Sequence, residues 1–370
     1  MMKKSGKTKR NTPLSAVGKI FVGLFGIGGL ISAFLCALSP FVNPSTFVYT
    51  AFFGLGFWMI LFVNILVLIV LIILKSRKTL MIPIIALLIS IPGFIKSFSF
   101  GNEIDTNAEV KIMTYNVSVF RDFKHKSQSV FDVKKKVVGI IKENSPDIVC
   151  FQESGSWPNN TAHEFASTLG FEFYKVNKTN GNSIFSKYPI EDVDNLDNDL
   201  LDKYIDINKV NINGRTLYVV NCHLNSFKIT KEEIEYINDT KNIVKDSEIY
   251  GKSLLAKLKN GYEIRTKTSD LLLRHLPDDK EPIVICGDFN DTPLSYTYSR
   301  MRFNGFKDAF ITSSFGIGKT YCGSLPLLRI DYFWYNNNVT PVFYNTIRCS
   351  TSDHYPLLLG LKIGEGEDGI

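Results

Sequence analysis

Residues 282–293, PIVICGDFNDTP, join an apolar run to a polar exit at a single glycine. Four apolar residues, most of them β-branched, precede Gly287, and this pattern predicts a buried strand closed by a tight turn. Asp288, Asn290 and Asp291 follow at once, so they lie at the carboxyl end of a core strand, where α/β sheets usually present their chemistry. The alternative is that Asp288 and Asn290 only cap their own backbone as turn residues.

Charge divides the chain into two unlike parts. Residues 1–100 contain ten Lys and Arg and no Asp or Glu, whereas residues 101–370 hold the other 32 basic and all 36 acidic residues. A basic balance usually points to nucleic acid or to an acidic surface. Here the positive charge belongs to an apolar segment that cannot form a soluble domain, so it does not indicate such a partner.

Residues 1–100 are predicted to form a three-helix transmembrane anchor. Apolar runs occupy residues 20–38, 46–74 and about 80–96, and about 20 apolar residues suffice to span a bilayer. The first run also has the basic start and small final residues of a signal peptide. The third run could instead be a re-entrant or interfacial segment. Two further runs after the first favour an anchor over a cleaved signal.

The Lys and Arg of this segment predict its orientation. Nine of them lie before the first run or between the second and the third, and none lies between the first and the second. By the positive-inside rule, those two basic segments are cytoplasmic. Three spans then place everything after residue 100 outside the cytoplasm, periplasmic or extracellular, in a multi-pass protein of the cell (inner) membrane.

After a linker at residues 101–108, predicted strands and helices alternate over residues 109–363. One strand ends at Asn116, an amphipathic helix covers residues 130–144, and a second strand delivers Glu153. Strand, helix and strand within about 40 residues is the rhythm of a βαβ unit. We therefore predict an α/β domain.

A hairpin and an insert come next. Asn213 and Gly214 join two strand-like runs and give the strongest short hairpin signal in the chain, and the second run delivers His223. The insert, about residues 227–275, is polar with a helical period. It predicts one or two helices covering the sheet, with a disordered tip near residues 260–261 and no evident chemistry.

Polar side chains recur where the predicted strands begin or end, and together they predict a metal site. Carboxylate and amide oxygens suit Mg²⁺ or Mn²⁺, whereas the lack of converging cysteines disfavours zinc. A magnesium site with few carboxylates takes its other ligands from water and phosphate, which indicates phosphoester chemistry. Taken singly, each residue has a structural alternative, as a turn residue or a satisfied core histidine. The candidates are Asn116, Glu153, His223, Asp288, Asn290, Asp331, Asp353 and His354.

Cysteine usage indicates no disulfide framework. Four of the six cysteines lie in apolar runs, where they act as small buried hydrophobes. Only Cys322 and Cys349 lie in loop-like sequence, and whether they pair is left open.

Seven short motifs stand in order along the second part of the chain. They are TYN (114–116), QE (152–153), GNSIFSKYP (181–189), NCHLNS (221–226), GDFN (287–290), RIDYF (329–333) and SDHYP (352–356). In this order they resemble the motifs of the endonuclease/exonuclease/phosphatase superfamily, which includes DNase I, exonuclease III-type AP endonucleases, neutral sphingomyelinases and inositol polyphosphate 5-phosphatases. The resemblance covers about residues 109–363 and leaves out the anchor and the insert. It implies a four-layer α/β sandwich, two packed mixed β-sheets flanked by helices, and divalent-metal-dependent phosphoester hydrolysis.

The resemblance also implies a metal-binding group. Glu153 becomes the principal ligand of Mg²⁺ or Mn²⁺, and Asn116 and Asp353 lie near the ion.

The remaining candidates take catalytic roles by the same resemblance. Asp288 activates or orients the attacking water, Asn290 holds the phosphate, and His223 donates to a phosphate oxygen. His354, oriented by Asp331, acts either as general base or as stabiliser of the pentacovalent transition state, and the sequence leaves both open.

The substrate is not decided by the motifs. A nuclease needs a basic track to neutralise phosphates, and the second part of the chain is acidic, so we favour a lipid or small phosphodiester beside the bilayer. A nuclease acting on DNA or RNA is one alternative, and a catalytically inactive binding module is another. No GxxxxGKS or GxSxG motif is present, which disfavours nucleotide-driven transfer and serine hydrolysis. Nothing in the sequence indicates a protein partner.

Overall fold

The computed structural model describes residues 13–102, 107–121, 129–157, 160–191, 193, 199–227, 247–323 and 327–364. Apolar helices form the N-terminal part, and an α/β sandwich forms the rest. The helices are α1 (Pro13–Leu38), α2 (Tyr49–Leu55), α3 (Phe57–Ile73), α4 (Met81–Ser97), α5 (Val130–Asn144), α6 (Thr161–Leu169), α7 (Asp199–Asp202), α8 (Ser247–His275), α9 (Tyr296–Phe303) and α10 (Ala309–Ser313). The strands are β1 (Ser99–Phe100), β2 (Val110–Asn116), β3 (Ile148–Gln152), β4 (Phe173–Val176), β5 (Ser183–Ser186), β6 (Ile190–Glu191), β7 (Ile205–Ile212), β8 (Arg215–His223), β9 (Ile283–Asp288), β10 (Lys307–Asp308), β11 (Phe315–Gly316), β12 (Asp331–Tyr335), β13 (Val339–Thr346) and β14 (Leu357–Ile363).

Two mixed sheets of six strands lie at the centre of the sandwich. The first has the order β13-β14-β2-β3-β5-β4, and the second has the order β10-β12-β9-β8-β7-β6. Strands β2 and β3 pair in parallel, as do β8 and β9. The side chain of Gln152, at the end of β3, donates to Asn221 Oδ1 near the end of β8 at 2.7 Å. The carboxyl ends of the four parallel strands therefore meet at one edge of the sandwich.

Alternating side chains divide each central strand between two apolar layers, because successive residues of a strand point to opposite faces. In β2, Val110 packs between the sheets, whereas Met113 packs beneath helices α5 and α6. In β8, Val219 faces the first sheet and Val220 packs beneath helices α8 and α9. The order helix, sheet, sheet, helix confirms the predicted two mixed sheets with flanking helices.

Helix α5 matches the predicted helix at both ends. Val133, Val137 and Ile141 recur every four residues and are all buried against the first sheet. Ser129 and Asp132 form a capping box at its start, which satisfies two backbone donors that would otherwise lack partners.

The hairpin is confirmed and the prediction for the insert is partly wrong. Asn213 and Gly214 join β7 to β8 with φ of 53° and 89°, the left-handed backbone that such tight turns require. In the insert, helix α8 runs without a break through residues 260–261 instead of forming a disordered tip. The reason is packing, because Gly261 lies against Phe227 so closely that a Cβ would come within 2.8 Å of its ring. Residues 228–246 lie outside the described part of the chain.

The described cysteines are all free thiols, including Cys322 and Cys349. Cys150, Cys222 and Cys286 are fully buried, as their apolar surroundings in the sequence predict.

Among the described residues of the N-terminal segment, one helix is long and apolar enough to cross a membrane by itself. This is Ile20–Leu38, with 19 residues and a mean hydropathy of 2.3. Helices α2 and α3 reach the required length only as a pair and meet at an angle of 71°. The predicted helix over residues 46–74 is therefore two helices with a sharp bend between them. Helix α4 is a shorter apolar helix of 17 residues.

Packing against the sandwich explains the break between α2 and α3. Val48 and Ala51 pack with Tyr262 of helix α8, and the Tyr262 hydroxyl donates to the Ala51 carbonyl oxygen at 3.3 Å. A Cβ on Gly54 would lie 2.9 Å from the Leu294 carbonyl oxygen. Helix α2 therefore lies against the sandwich, and α3 leads away from it.

Candidate active site

The predicted polar residues meet at the edge where the four parallel strands end. The register pairs Asn116 with Gln152, the residue before Glu153, and it pairs His223 with Asp288. Strand β12 runs antiparallel to β9, and its first residue, Asp331, lies opposite Asp288. Strands of both sheets therefore contribute to one site.

Asn116 links the two carboxylates at the centre of the site. Its Nδ2 donates to Asp288 Oδ2 at 3.0 Å and lies 3.3 Å from Glu153 Oε1. Its Oδ1 accepts a hydrogen bond from the Ser118 backbone at 3.0 Å. Glu153 itself has a φ of 50°, which is unfavourable for a residue other than glycine and typical of functional sites. This strained backbone turns the carboxylate out of the strand and toward Asn116.

His223 faces the same pair of carboxylates. Its Nε2 lies 3.5 Å from Glu153 Oε1 and 4.0 Å from Asp288 Oδ2, and this buried atom has no hydrogen-bond partner among the described residues. Burial lowers the pKa of His223. At neutral pH the ring is therefore uncharged and can offer one N–H to a ligand between these groups.

Asp288 is fully buried and held by the residues that follow it. The Asn290 backbone donates to Oδ1 at 2.8 Å, and the Asn290 side chain donates to Oδ2 at 3.1 Å. Asp288 Oδ1 therefore caps the backbone of the turn, as the structural alternative predicts. Asp288 Oδ2 also faces Asn116 and the two histidines. Burial and, less strongly, the neighbouring Asp331 raise the pKa of Asp288 to about 7, against the opposing effect of His354.

His354 and Asp331 form a buried pair. His354 Nδ1 lies 2.9 Å and 3.1 Å from the two oxygens of Asp331, and His354 Nε2 points to Asp288 Oδ2 at 3.7 Å. Burial alone would lower the pKa of His354, but the Asp331 and Asp288 carboxylates outweigh it and raise the pKa to about 10. Because both Asp331 oxygens accept from the Nδ1–H, that carboxylate fixes the orientation of the ring and stabilises its charged form.

Asp353 lies at the rim of the site. Among the described residues its side chain accepts a hydrogen bond from Ser352 Oγ at 3.2 Å, and its hydrogen bonds do not include Glu153 or Asn116. Ser352 also donates to the Asn116 carbonyl oxygen at 2.7 Å, which ties this loop to the end of β2. Asp353 is therefore near the site without joining its central cluster.

Sequence reasoning missed Arg265, which holds two loops of the site. Its Nε donates to Asp291 Oδ2 at 3.2 Å, and its Nη1 donates to the Asn225 carbonyl oxygen at 2.8 Å. The guanidinium carbon lies 4.2 Å from the centroid of the Phe227 ring and 4.6 Å from that of the Tyr262 ring. No local signal marks this arginine, because it lies within a polar helical insert.

The donor set fits a hard divalent cation. Glu153 Oε1 and Asp288 Oδ2 both lie within 3.3 Å of one amide nitrogen of Asn116, so two carboxylates face the same small space beside the unpartnered His223 nitrogen. Ligand atoms of Asp288, Asp331 and His354 also lie within 4.8 Å of one another. Since Asp331 is engaged by His354, the Glu153 carboxylate is the better ligand for such an ion.

Comparisons with known proteins agree with this architecture. The model of the Endonuclease/Exonuclease/phosphatase family matches residues 113–354, and that of a domain of unknown function matches residues 19–98. No curated protein sequence matches the chain.

Solved structures to which the chain is similar include three from different organisms. An endonuclease/exonuclease/phosphatase from Bacteroides vulgatus is 20% identical, with 69% of this chain and 98% of that chain covered and a TM-score of 0.49. One from Beutenbergia cavernae is 14% identical, with 70% and 73% covered and a TM-score of 0.48. The human Nocturnin catalytic domain is 16% identical, with 70% and 95% covered and a TM-score of 0.46. Members of the matched family are phosphoesterases and nucleases that generally use divalent metals. Since the family model spans most of the sandwich, this chain belongs to the endonuclease/exonuclease/phosphatase family.

Proposed function

We propose that this protein is a membrane-anchored phosphodiesterase that needs Mg²⁺ or Mn²⁺ and acts outside the cytoplasm on a lipid or small phosphodiester. The observation that carries the proposal is the position of Asp288 Oδ2, 3.0 Å from Asn116 Nδ2 and 3.7 Å from His354 Nε2. A buried carboxylate between an amide, a cationic imidazole and a second carboxylate suits attack of water on a phosphoester.

In this proposal Asp288 orients the attacking water and accepts its proton. Asn290 holds Asp288 through one side-chain N–H, and its other N–H exchanges the Leu224 carbonyl oxygen for a phosphate oxygen. His223 donates its free N–H to another phosphate oxygen, as its unpartnered Nε2 allows. Each of these groups contacts an atom whose charge or protonation changes during the reaction, so its interaction is strongest in the transition state.

The raised pKa of His354 favours one of the two roles that the sequence leaves open. With a pKa of about 10, the ring is cationic at neutral pH and cannot act as general base. It stabilises the negative charge of the pentacovalent transition state, and Asp331 keeps it charged and oriented.

Glu153 is the principal ligand in the metal-binding group that we propose, with Asn116 beside it and Asp353 at the rim. A bound Mg²⁺ or Mn²⁺ supplies neutralisation of phosphate charge in such a site.

The helix ends support a three-span anchor. Cys36 of α1 and Phe57 of α3 pack together with Leu294 of the sandwich, and Phe94 of α4 packs against this cluster. Three helices that all meet the sandwich at one end suit an up-down-up bundle, with residues 75–78 and the basic N-terminus on the opposite, cytoplasmic side. In this arrangement α2 lies at the membrane surface instead of spanning it.

The test is metal-dependent hydrolysis by the full chain in lipid nanodiscs. The substrates are sphingomyelin, glycerophospholipid, inositol phosphates, DNA and RNA, each with Mg²⁺, with Mn²⁺ and with excess chelator. We expect phosphodiester hydrolysis that chelator abolishes, and Glu153→Gln, which keeps the shape and removes the charge, should lower it by about 10² or more.

The same panel separates the alternatives. Preference for DNA or RNA would make the protein a nuclease. Binding of these compounds without turnover would make it an inactive binding module. Full activity in chelator, or an Asp288→Asn variant with wild-type turnover, would refute the proposed mechanism.

A further inference from the structure

Exposed aromatic rings of the sandwich lie beside rings of the N-terminal helices. Phe303 in α9 is 65% exposed and its ring centroid lies 6.1 Å from that of Phe41, in the turn after α1. Phe315 in β11 is 70% exposed and its centroid lies 5.6 Å from Phe98 and 6.4 Å from Phe100. We call these five residues the aromatic platform. Two of its members belong to the α/β sandwich, although the three others belong to the anchor and its exit.

Hydrogen bonds join the end of the anchor, residues 96–100, to the sandwich beside Phe315. Ser99 and Phe100 leave helix α4 and pair as strand β1 with β11, so that Phe100 lies opposite Phe315. Ser99 Oγ donates to the Ser314 carbonyl oxygen at 2.6 Å. Arg329 Nη2 donates to the Lys96 carbonyl oxygen at 3.0 Å. The end of the anchor is therefore joined to the sandwich by direct hydrogen bonds.

The aromatic platform suits the region of a bilayer where lipid headgroups meet acyl chains. Single exposed apolar side chains are common on soluble proteins, but groups of exposed aromatic rings in contact with one another are less so. The helices that precede these rings also expose apolar side chains, such as Phe34 of α1 and Ile95 of α4. Aromatic rings concentrate at this depth in membrane proteins. Lys96, whose Nζ lies 5.5 Å from the Phe41 ring centroid, has the length to reach the headgroups.

Two short connections join the platform side of the molecule to the catalytic groups. Leu294, which is buried among the anchor helices, follows Asn290 by four residues, so their Cα atoms are at most about 14 Å apart. Tyr321 pairs with His354 and its ring centroid lies 5.2 Å from the imidazole. Tyr321 follows Phe315 by six residues, at most about 22 Å of extended chain. The site is thus close to the bilayer surface.

We propose that the α/β sandwich itself is seated in the bilayer surface through the aromatic platform, and that the site takes the headgroup phosphodiester of a phospholipid in that same membrane. The substrate part of this proposal rests on the proposed phosphodiesterase function. The seating of the sandwich does not.

The seating is tested by the depth of new tryptophans in the full chain, reconstituted in phosphatidylcholine vesicles. Phe303→Trp and Phe315→Trp are made separately, and emission is compared in vesicles with and without lipids brominated near the glycerol. The emission of the three native tryptophans is measured in the wild-type protein and subtracted. The matched control is Phe131→Trp in α5, which is 75% exposed on the opposite layer of the sandwich. Quenching of both platform tryptophans, without quenching of the control, is the expected result. Platform tryptophans no more quenched than the control would overturn the seating.

The substrate is tested by a kinetic comparison in the same vesicles. Replacing both rings, Phe303→Ser with Phe315→Ser, should leave hydrolysis of soluble bis(p-nitrophenyl) phosphate within about twofold and lower hydrolysis of vesicle phospholipid about tenfold, because apolar burial at the surface is lost. Equal losses on both substrates, or no loss on the phospholipid, would overturn the substrate part. A wild-type protein inactive on both would refute the proposed function, and tryptophan quenching would then decide the seating by itself.

Discussion

Replacing Asp331 by asparagine should lower the pKa of His354. The ring is then uncharged at neutral pH, and its contribution to transition-state stabilisation is lost. Asparagine keeps the size of the side chain and removes the charge that lies 2.9 Å from His354 Nδ1. In the wild-type protein the pKa of His354 is raised from 6.5 to about 10. At about 1.4 kcal/mol per pH unit, this difference is worth ~5 kcal/mol in favour of the imidazolium. Without Asp331, burial is the larger remaining effect and it disfavours the charged ring.

The sign of the pH dependence follows from that change. A group with a raised pKa is protonated below that value, so wild-type activity should persist above neutral pH and fall only as pH approaches about 10. In Asp331→Asn the imidazolium is present only at low pH, where the buried Asp288 carboxyl is protonated and cannot take a proton. We therefore expect a narrow bell-shaped profile and a loss of roughly 10² to 10³ in turnover at pH 8.

The assay is the pH profile of kcat/KM for the full chain on a soluble phosphodiester with Mg²⁺. Asp270→Asn is the matched control, since Asp270 accepts from Arg300 Nε at 2.7 Å on the outer helices and is remote from the site. The double variant of Asp331→Asn with His354→Gln should cost little more than His354→Gln alone. If kcat/KM of Asp331→Asn fell at the same high pH as that of the wild type, the assigned role of Asp331 would be refuted. Additive losses in the double variant would refute it as well.

Three other predictions concern the scaffold and the anchor. Arg265→Met should lower kcat at least tenfold with less effect on KM, because it leaves Asp291 buried without its partner, whereas Lys259→Met on the same helix should change neither; equal kinetics for both variants would contradict this. Leu294→Ala should destabilise the full chain by about 2 to 5 kcal/mol, seen as a lower melting temperature in detergent; a melting temperature equal to that of the wild type would show that the contact is not formed. Alkaline phosphatase fused after Phe100 should be active, since we propose that this end of the anchor is outside the cytoplasm; an inactive fusion with a fluorescent cytoplasmic reporter at the same point would reverse the topology.

The central strands could be predicted from the sequence because local chemistry determines them. The run before Gly287 is apolar at every position, and strand β9 is indeed buried along its whole length. Polar residues directly after such a run have to lie at the strand exit, whatever the rest of the chain does. This is why Asn116, Glu153 and His223 are found together with Asp288, although the sequence alone does not assign their roles.

Long-range packing explains what the sequence could not predict. Hydropathy treats residues 46–74 as one span, because it does not register that Gly54 and Val48 lie against the sandwich. Arg265 gave no signal, since its partners Asp291 and Asn225 are 26 and 40 residues away in sequence. Both errors involve contacts that form only when the insert and the anchor fold onto the catalytic edge.

The loop that follows β9 couples the candidate site to the N-terminal helices. At one end of this loop, Asn290 donates to the Asp288 carboxylate, and at the other end Leu294 is buried among the anchor helices. Between them, Asp291 is held by Arg265 and by the Tyr332 hydroxyl, which donates to its carbonyl oxygen at 2.8 Å. A loop fixed at three points over five residues cannot absorb a shift of the helices, so such a shift would move Asn290 relative to the phosphate. Removing the N-terminal helices should therefore impair the site itself, so the kinetics of the site have to be measured on the full chain.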